Sequence, residues 1–246
     1  DITVGSGQAT NGAAGDISIM VGETTLASTA GAMLTMQAGD SVGATSTGGP
    51  VSITAGDSTN EGGLVKLQSG TSTGQSTGTI LIATGDGSKS SGDLTIRTAN
   101  AATTGRSGAL TFSSGTTLIG DSGSLSIGSG LATQGTGGSI SITVGDGNSG
   151  TGGSITMTAG KTRGTGLDGG AVTITGGQGL QTGGAVTIGS GAGTTTSSGA
   201  MTITTATSGK GITGAMIFSS GIADSGASGD ITVGSGQATN GAAGDI

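Results

Sequence analysis

The chain has 246 residues, with 58 Gly, one Pro, two Phe and no Trp, Tyr, Cys or His, and its seven basic and fourteen acidic residues give a net charge of −7. Without Cys there are no disulfides, thiolate metal sites or Cys nucleophiles, and without His the commonest general base and metal ligand is missing. So few cations leave no basic surface to neutralise phosphates, so nucleic acid is not an expected partner, and no apolar run reaches the ~18 residues of a membrane span.

With 31% hydrophobic residues, an ordinary aromatic and aliphatic core is not expected either. Composition alone would place so Gly-, Ser- and Thr-rich a chain among flexible polypeptides, but its apolar residues are regularly spaced. A seven-residue motif, seen cleanly at Ser154-Ile155-Thr156-Met157-Thr158-Ala159-Gly160, recurs in altered form from Asp1, Asp16, Met33, Pro50, Leu64, Thr79, Asp93 and Ala109. It continues from Ser124, Ser139, Ser154, Ala171, Ala185, Ala200 and Ala215, and the series begins again at Asp230. Positions two and four are large and apolar, as in Ile17/Ile19, Leu94/Ile96, Leu110/Phe112 and Val172/Ile174. This is the period of a strand with one covered face. Position six, on that same face, is usually small, as at Ala38, Ala55, Ser69 and Ala159.

Position seven is Gly in thirteen of the fifteen copies, Ala99 and Ala206 being the exceptions, and each later motif is preceded by Gly except at Ala32. Because Ala substitutes at both corners, the expected requirement is a small side chain at a crowded bend and not an obligatory positive φ. Arms of six to nine residues join successive motifs and hold all the length variation. The second arm residue is small throughout (Ala9, Ser41, Ser58, Ser72, Ala101) and the third is variable (Val42, Arg163, Asp224), which predicts an inward second residue and a solvent-facing third.

The stretch from one motif start to the next, as from Ser124 to Ser139 and on to Ser154, is too short for a strand with a crossover helix. The spacing predicts an all-β fold, a parallel β-solenoid of about 15 residues per rung. Each rung is expected to pair with its neighbours through parallel backbone hydrogen bonds, since one rung cannot bury its own apolar pair. Two longer periods overlie the rung. Asp1 to Ile17 reads DITVGSGQATNGAAGDI, and Asp230 to Ile246 repeats it without change, so that a further copy begins after fifteen rungs. At ~4.8 Å per rung, that predicts an axial repeat near ~70 Å. Phe112 and Phe218, and the corners Ala99 and Ala206, lie seven rungs apart. The chain is accordingly expected to be one continuous solenoid. It comprises an eight-rung block over 1–123, a seven-rung block over 124–229 and the start of a further tandem copy over 230–246.

Three features are candidates for chemistry. Thr156/Thr158, Thr173/Thr175 and Thr202/Thr204 are outward pairs at positions three and five, and a flat Thr-x-Thr array resembles the ice-facing surface of insect-type β-solenoid antifreeze proteins. Thr is equally favoured on any exposed strand face, and Met20, Lys66, Leu81, Arg97 and Ile217 interrupt the array. Glu23, Asp40 and Asp57 each follow the closing glycine of three successive rungs. Stacking would bring these carboxylates to about 5 Å, where Ca²⁺ is the candidate cation, though solvated carboxylates explain them as well. The Gly-rich stretches Gly145-Asp146-Gly147 and Gly176-Gly177-Gln178-Gly179 are not followed by the helical period that a phosphate-binding loop needs, and read as corners.

The repeat in GGSISITVG, GGSITMTAG and GGAVTITGG resembles, over the whole chain, the Gly/Ser/Thr-rich tandem repeats of very long predicted secreted proteins of diatoms and other microalgae. It is more distantly similar to bacterial β-solenoid adhesins and stalks. The resemblance implies an extracellular structural role without an active site. The expected function is a non-enzymatic, thin extracellular fibre extended by tandem repetition and end-to-end stacking. The alternatives are an ice- or surface-binding protein and the stalk of a repeat adhesin. Its expected partners are further copies of the 229-residue repeat, lateral pairing of solenoids, and O-linked glycans on Ser and Thr; no N-x-[ST] sequon occurs at Asn11, Asn60, Asn100, Asn148 or Asn240. No other cofactor is expected.

Overall fold

A closing glycine that ends a motif and an opening glycine that begins the next come back together across each of six arms. The opening N–H donates to the closing carbonyl. In the computed structural model, which describes residues 2–25, 30–102 and 104–246, these closures are Gly49 to Gly39 (2.9 Å), Gly63 to Gly56 (2.9 Å) and Gly78 to Gly70 (3.2 Å). They recur as Gly170 to Gly160 (2.9 Å), Gly184 to Gly177 (2.8 Å) and Gly199 to Gly191 (2.9 Å). Asp1, the first residue of the first motif, lies outside the described residues.

The chain divides into two units, Asp1–Leu125 and Ser126–Ile246. Within the first, the closures follow one another as a long, a short and an intermediate arm: Gly39 to Gly49, Gly56 to Gly63 and Gly70 to Gly78. The second carries the same three arms in the same order and at one constant offset, as Gly160 to Gly170, Gly177 to Gly184 and Gly191 to Gly199. Arms of different length thus reach one end geometry. The physical reason is that loop closure depends only weakly on length: doubling a flexible loop costs about 0.6 kcal/mol, within reach of one net hydrogen bond.

The expected parallel β-solenoid is not formed. Among the described residues there is no β-strand and no helix, and no residue at positions one to six of a motif gives or takes a backbone–backbone hydrogen bond. Alternation decides which face of an extended segment is apolar; it does not decide what lies beside that segment. The recurrent backbone bonds are made inside the arms, from one end of a connection to the other, and no ladder joins one motif to the next. The ~70 Å axial repeat, derived from ladder spacing, goes with it.

No hydrophobic core forms among the described residues, and no residue there is buried. The two faces of a motif nevertheless differ. Leu94 and Ile96, at positions two and four, are 56% and 52% exposed, whereas Met20 and Leu81, at odd positions, are each 85% exposed. The residues that leave solvent furthest belong to two groups. One is position six, at Ala38, Ala55, Ser69, Thr98, Ala159 and Gly176; the other is the second arm residue, at Ala132, Thr162 and Ser208. Position six is thus among the less exposed positions in these motifs, as its small size suggests, whereas the second arm residues Ala9, Ser41, Ser58, Ser72 and Ala101, expected to face inward, stay exposed.

Crowding, expected at both corners, is found at opening glycines such as Gly63, Gly170 and Gly184 and at no closing one. A Cβ added to any of the thirteen closing glycines would meet nothing within 4 Å. One added to Gly63 would lie 3.2 Å from both the Ala55 Cβ and the Gly56 N, and one at Gly184 would lie 3.1 Å from the Gly177 N. Gly7 is the sole closing glycine with positive φ, at 82°, which agrees with a corner not selected by dihedral. The positive φ values lie mostly at arm tips, as at Gly166 (76°), where a Cβ would be strained.

This geometry separates two mutations in one arm. Gly63→Ala is expected to open the Gly63–Gly56 closure and to speed amide hydrogen exchange at residue 63 by roughly threefold to tenfold, the worth of one net hydrogen bond of about 1 kcal/mol. Gly56→Ala is expected to leave that amide unchanged. Exchange measured by NMR on both variants checks the pair.

Candidate functional site

The arms carry most of the specific polar geometry. Among the described residues, the hydroxyl of the second arm residue takes part in nearly every side-chain hydrogen bond. Ser58 Oγ accepts from the Asn60 N–H at 3.1 Å, Ser72 Oγ from the Gly74 and Gln75 N–H groups at 3.4 and 2.9 Å, and Thr162 Oγ1 from the Gly164 N–H at 3.3 Å. A short hydroxyl that caps N–H groups two or three residues on substitutes for a backbone turn bond. Elsewhere the same position donates: Thr117 to the Ile119 carbonyl at 2.9 Å and Ser208 to the Lys210 carbonyl at 3.0 Å. In the arm after Gly39, Ser41 donates to Ser46 Oγ at 2.6 Å, while the Ser46 hydroxyl and N–H both reach the Gly43 carbonyl, at 2.7 and 3.1 Å.

Reading the sequence for size takes this second residue as small and inward and misses the hydroxyl's part in the turn. The signal is present as Ser/Thr-x-Gly/Asn directly after the first arm residue, in Ser58-Thr59-Asn60, Ser72-Thr73-Gly74 and Thr162-Arg163-Gly164.

The three candidate Ca²⁺ ligands are not assembled. Glu23, Asp40 and Asp57 each occupy the exposed first position of an arm, and among the described residues no three acidic side chains come close enough to hold a metal ion. Their expected approach to about 5 Å depended on a ladder between motifs, and without it each carboxylate stays with its own arm. Thr156, Thr158, Thr173, Thr175, Thr202 and Thr204 are all exposed, but no strand pairing holds one Thr pair at a fixed distance from the next, and so no flat array is built. Gly145-Asp146-Gly147 and Gly176-Gly177-Gln178-Gly179 lead into no helix. At Gly176 a Cβ would collide with the Gly184 carbonyl oxygen, so its small size serves the arm closure.

Among the described residues there is no cavity, and no helix is long and apolar enough to cross a membrane. No protein-family model, curated protein or solved structure matches the chain.

Isolated exposed carboxylates bind Ca²⁺ only weakly, because the charge and ligand count of the site set affinity. Isothermal titration with Ca²⁺ is therefore expected to show no saturable binding below the millimolar range. The triple variant Glu23→Gln, Asp40→Asn, Asp57→Asn is expected to give the same trace as the unaltered chain.

Proposed function

We propose that this chain is a non-enzymatic structural polypeptide of the extracellular space, in which tandem repetition of the unit that begins at Asp1 and again at Asp230 sets the length of a fibre or stalk. The observation that carries this reading is repetition at two levels. The stretch DITVGSGQATNGAAGDI stands unchanged at Asp1 to Ile17 and at Asp230 to Ile246. Within the unit, the long, short and intermediate arm closures from Gly39 to Gly78 recur in order from Gly160 to Gly199. Strict repetition of a unit without a distinct site is how a chain varies its reach while keeping its local chemistry.

The distribution of polar groups supports the same reading. Ser and Thr hydroxyls face solvent along motifs and arms and offer acceptors for O-linked sugars, which suits a hydrated matrix. The adhesin-stalk alternative shares all of this and differs only in what is attached to the repeat. The ice-binding alternative needs regularly spaced Thr pairs, and it is not favoured by motifs whose spacing no backbone ladder fixes.

Chains carrying one, two and three copies of the repeat unit test the proposal. On single molecules imaged at high dilution, the end-to-end length is expected to grow by the same increment with each added unit. Growth as the cube root of mass, the behaviour of a compact particle, would falsify it.

A further inference from the structure

We infer that the arm after Gly7, and its copy after Gly236, carries a self-modification site at which Asn11 and Asn240 convert to aspartate and isoaspartate through a cyclic imide closed by the next glycine nitrogen.

A comparison of arms picks out the site. In the arms after Gly56 and Gly70 the second residue is Ser58 or Ser72, and its hydroxyl holds N–H groups two or three residues on: Asn60 at 3.1 Å, Gly74 at 3.4 Å and Gln75 at 2.9 Å. In the arms after Gly7 and Gly236 the second residue is Ala9 or Ala238, which has no hydroxyl to offer. Gly12 and Gly241 stand where Gln75 stands, three residues on. No hydrogen bond joins the Gly12 or Gly241 N–H to another described residue. Neither arm is among the six closed by an opening glycine. Both bend at the same exposed residues, Thr10 to Gly12 and Thr239 to Gly241.

The residue after each asparagine decides whether the ring closes. All five asparagines are exposed, but Asn60, Asn100 and Asn148 precede Glu61, Ala101 and Ser149, whose side chains crowd the attacking nitrogen. Asn11 and Asn240 precede Gly12 and Gly241, which have no Cβ.

The chemistry needs only water. With its proton taken by solvent base, the Gly12 nitrogen bonds to Asn11 Cγ, the bond from Cγ to the side-chain nitrogen breaks, and that nitrogen leaves with a proton as ammonia. One water then opens the five-membered ring. Attack at Cγ restores the main chain with aspartate at residue 11, and attack at the main-chain carbonyl routes the chain through Cβ and Cγ as isoaspartate. Either product adds one negative charge to a chain of net charge −7, and isoaspartate also lengthens the arm by a backbone methylene. Because the two sites hold the same place in successive copies, the charge is added once per unit. At Asp86-Gly87, Asp146-Gly147 and Asp168-Gly169 the same ring is open to the chain, but a carboxylate is a poor acceptor for the nitrogen and isomerisation there leaves the charge unchanged.

Two identical sites in one chain supply an internal control. When the full chain is incubated at mildly alkaline pH, peptide mapping by mass spectrometry is expected to find Asn11 and Asn240 converting at like rates, roughly tenfold or more faster than the three asparagines whose next residue carries a Cβ. Hydroxylamine, which cleaves the imide, is expected to cut the chain at both sites. Ala9→Ser supplies the missing acceptor and is expected to slow Asn11 by roughly threefold to tenfold relative to Asn240, the worth of one net hydrogen bond. In concentrated urea the two sites of this variant are expected to react alike. Equal rates at all five asparagines, an Asn11 rate unmoved by Ala9→Ser in the native chain, or a slowing that survives in urea overturns the inference. None of these outcomes touches the length increment per unit.

Discussion

The closure of each hydrogen-bonded arm by one hydrogen bond between two glycines is the constraint on which the rest of the chain depends. The opening glycine must lie over position six of the preceding motif for its N–H to reach the closing carbonyl. The close approach at Gly63, 3.2 Å from the Ala55 Cβ to where its own Cβ would be, shows how little room that leaves. One consequence is that position six is small in the closed arms (Ala38, Ala55, Ser69, Ala159, Gly176, Ser190). Another is that arm length is free to vary, because the short arm from Gly56 to Gly63 and the longer one from Gly39 to Gly49 end in the same bond. The second arm residue then organises the interior of the loop with its hydroxyl, satisfying N–H groups that would otherwise need water.

This assigns the many glycines to different physical tasks. Opening glycines such as Gly63 and Gly184 avoid a tight contact, arm-tip glycines such as Gly166 supply a positive φ, and closing glycines have open space around them. Ala99 and Ala206 stand at closing positions for that last reason. In the sequence, alanines at both corners, Ala99 and Ala206 at the closing one and Ala32 at the opening one, suggest a crowded bend. The tolerance is read correctly and its cause is not, since a position accepts Ala both when it is tight but not special in φ and when it is empty.

Much of the local pattern was legible because it concerns one residue and its immediate surroundings. The alternation of Leu94 and Ile96 with polar neighbours gave the less exposed face, and the small residue at position six gave one of the positions that leave solvent furthest, whereas the second arm residue, expected inward, stays exposed at Ser41, Ser58 and Ser72. The ladder between motifs was another kind of claim. It required each extended segment to lie about 4.8 Å from the next, and no residue pattern within a single motif encodes that distance. The candidate sites fell with it, since Glu23, Asp40 and Asp57, like the Thr pairs from Thr156 to Thr204, belong to separate motifs and could meet only through stacking.

What remains on each motif is a pair of apolar side chains exposed by about half or more, and no residue among those described is buried. Arms of Gly, Ser and Thr separate one pair from the next along the chain. Two isolated pairs that meet in solution gain little, because a few kcal/mol of apolar contact must repay the lost freedom of two whole molecules.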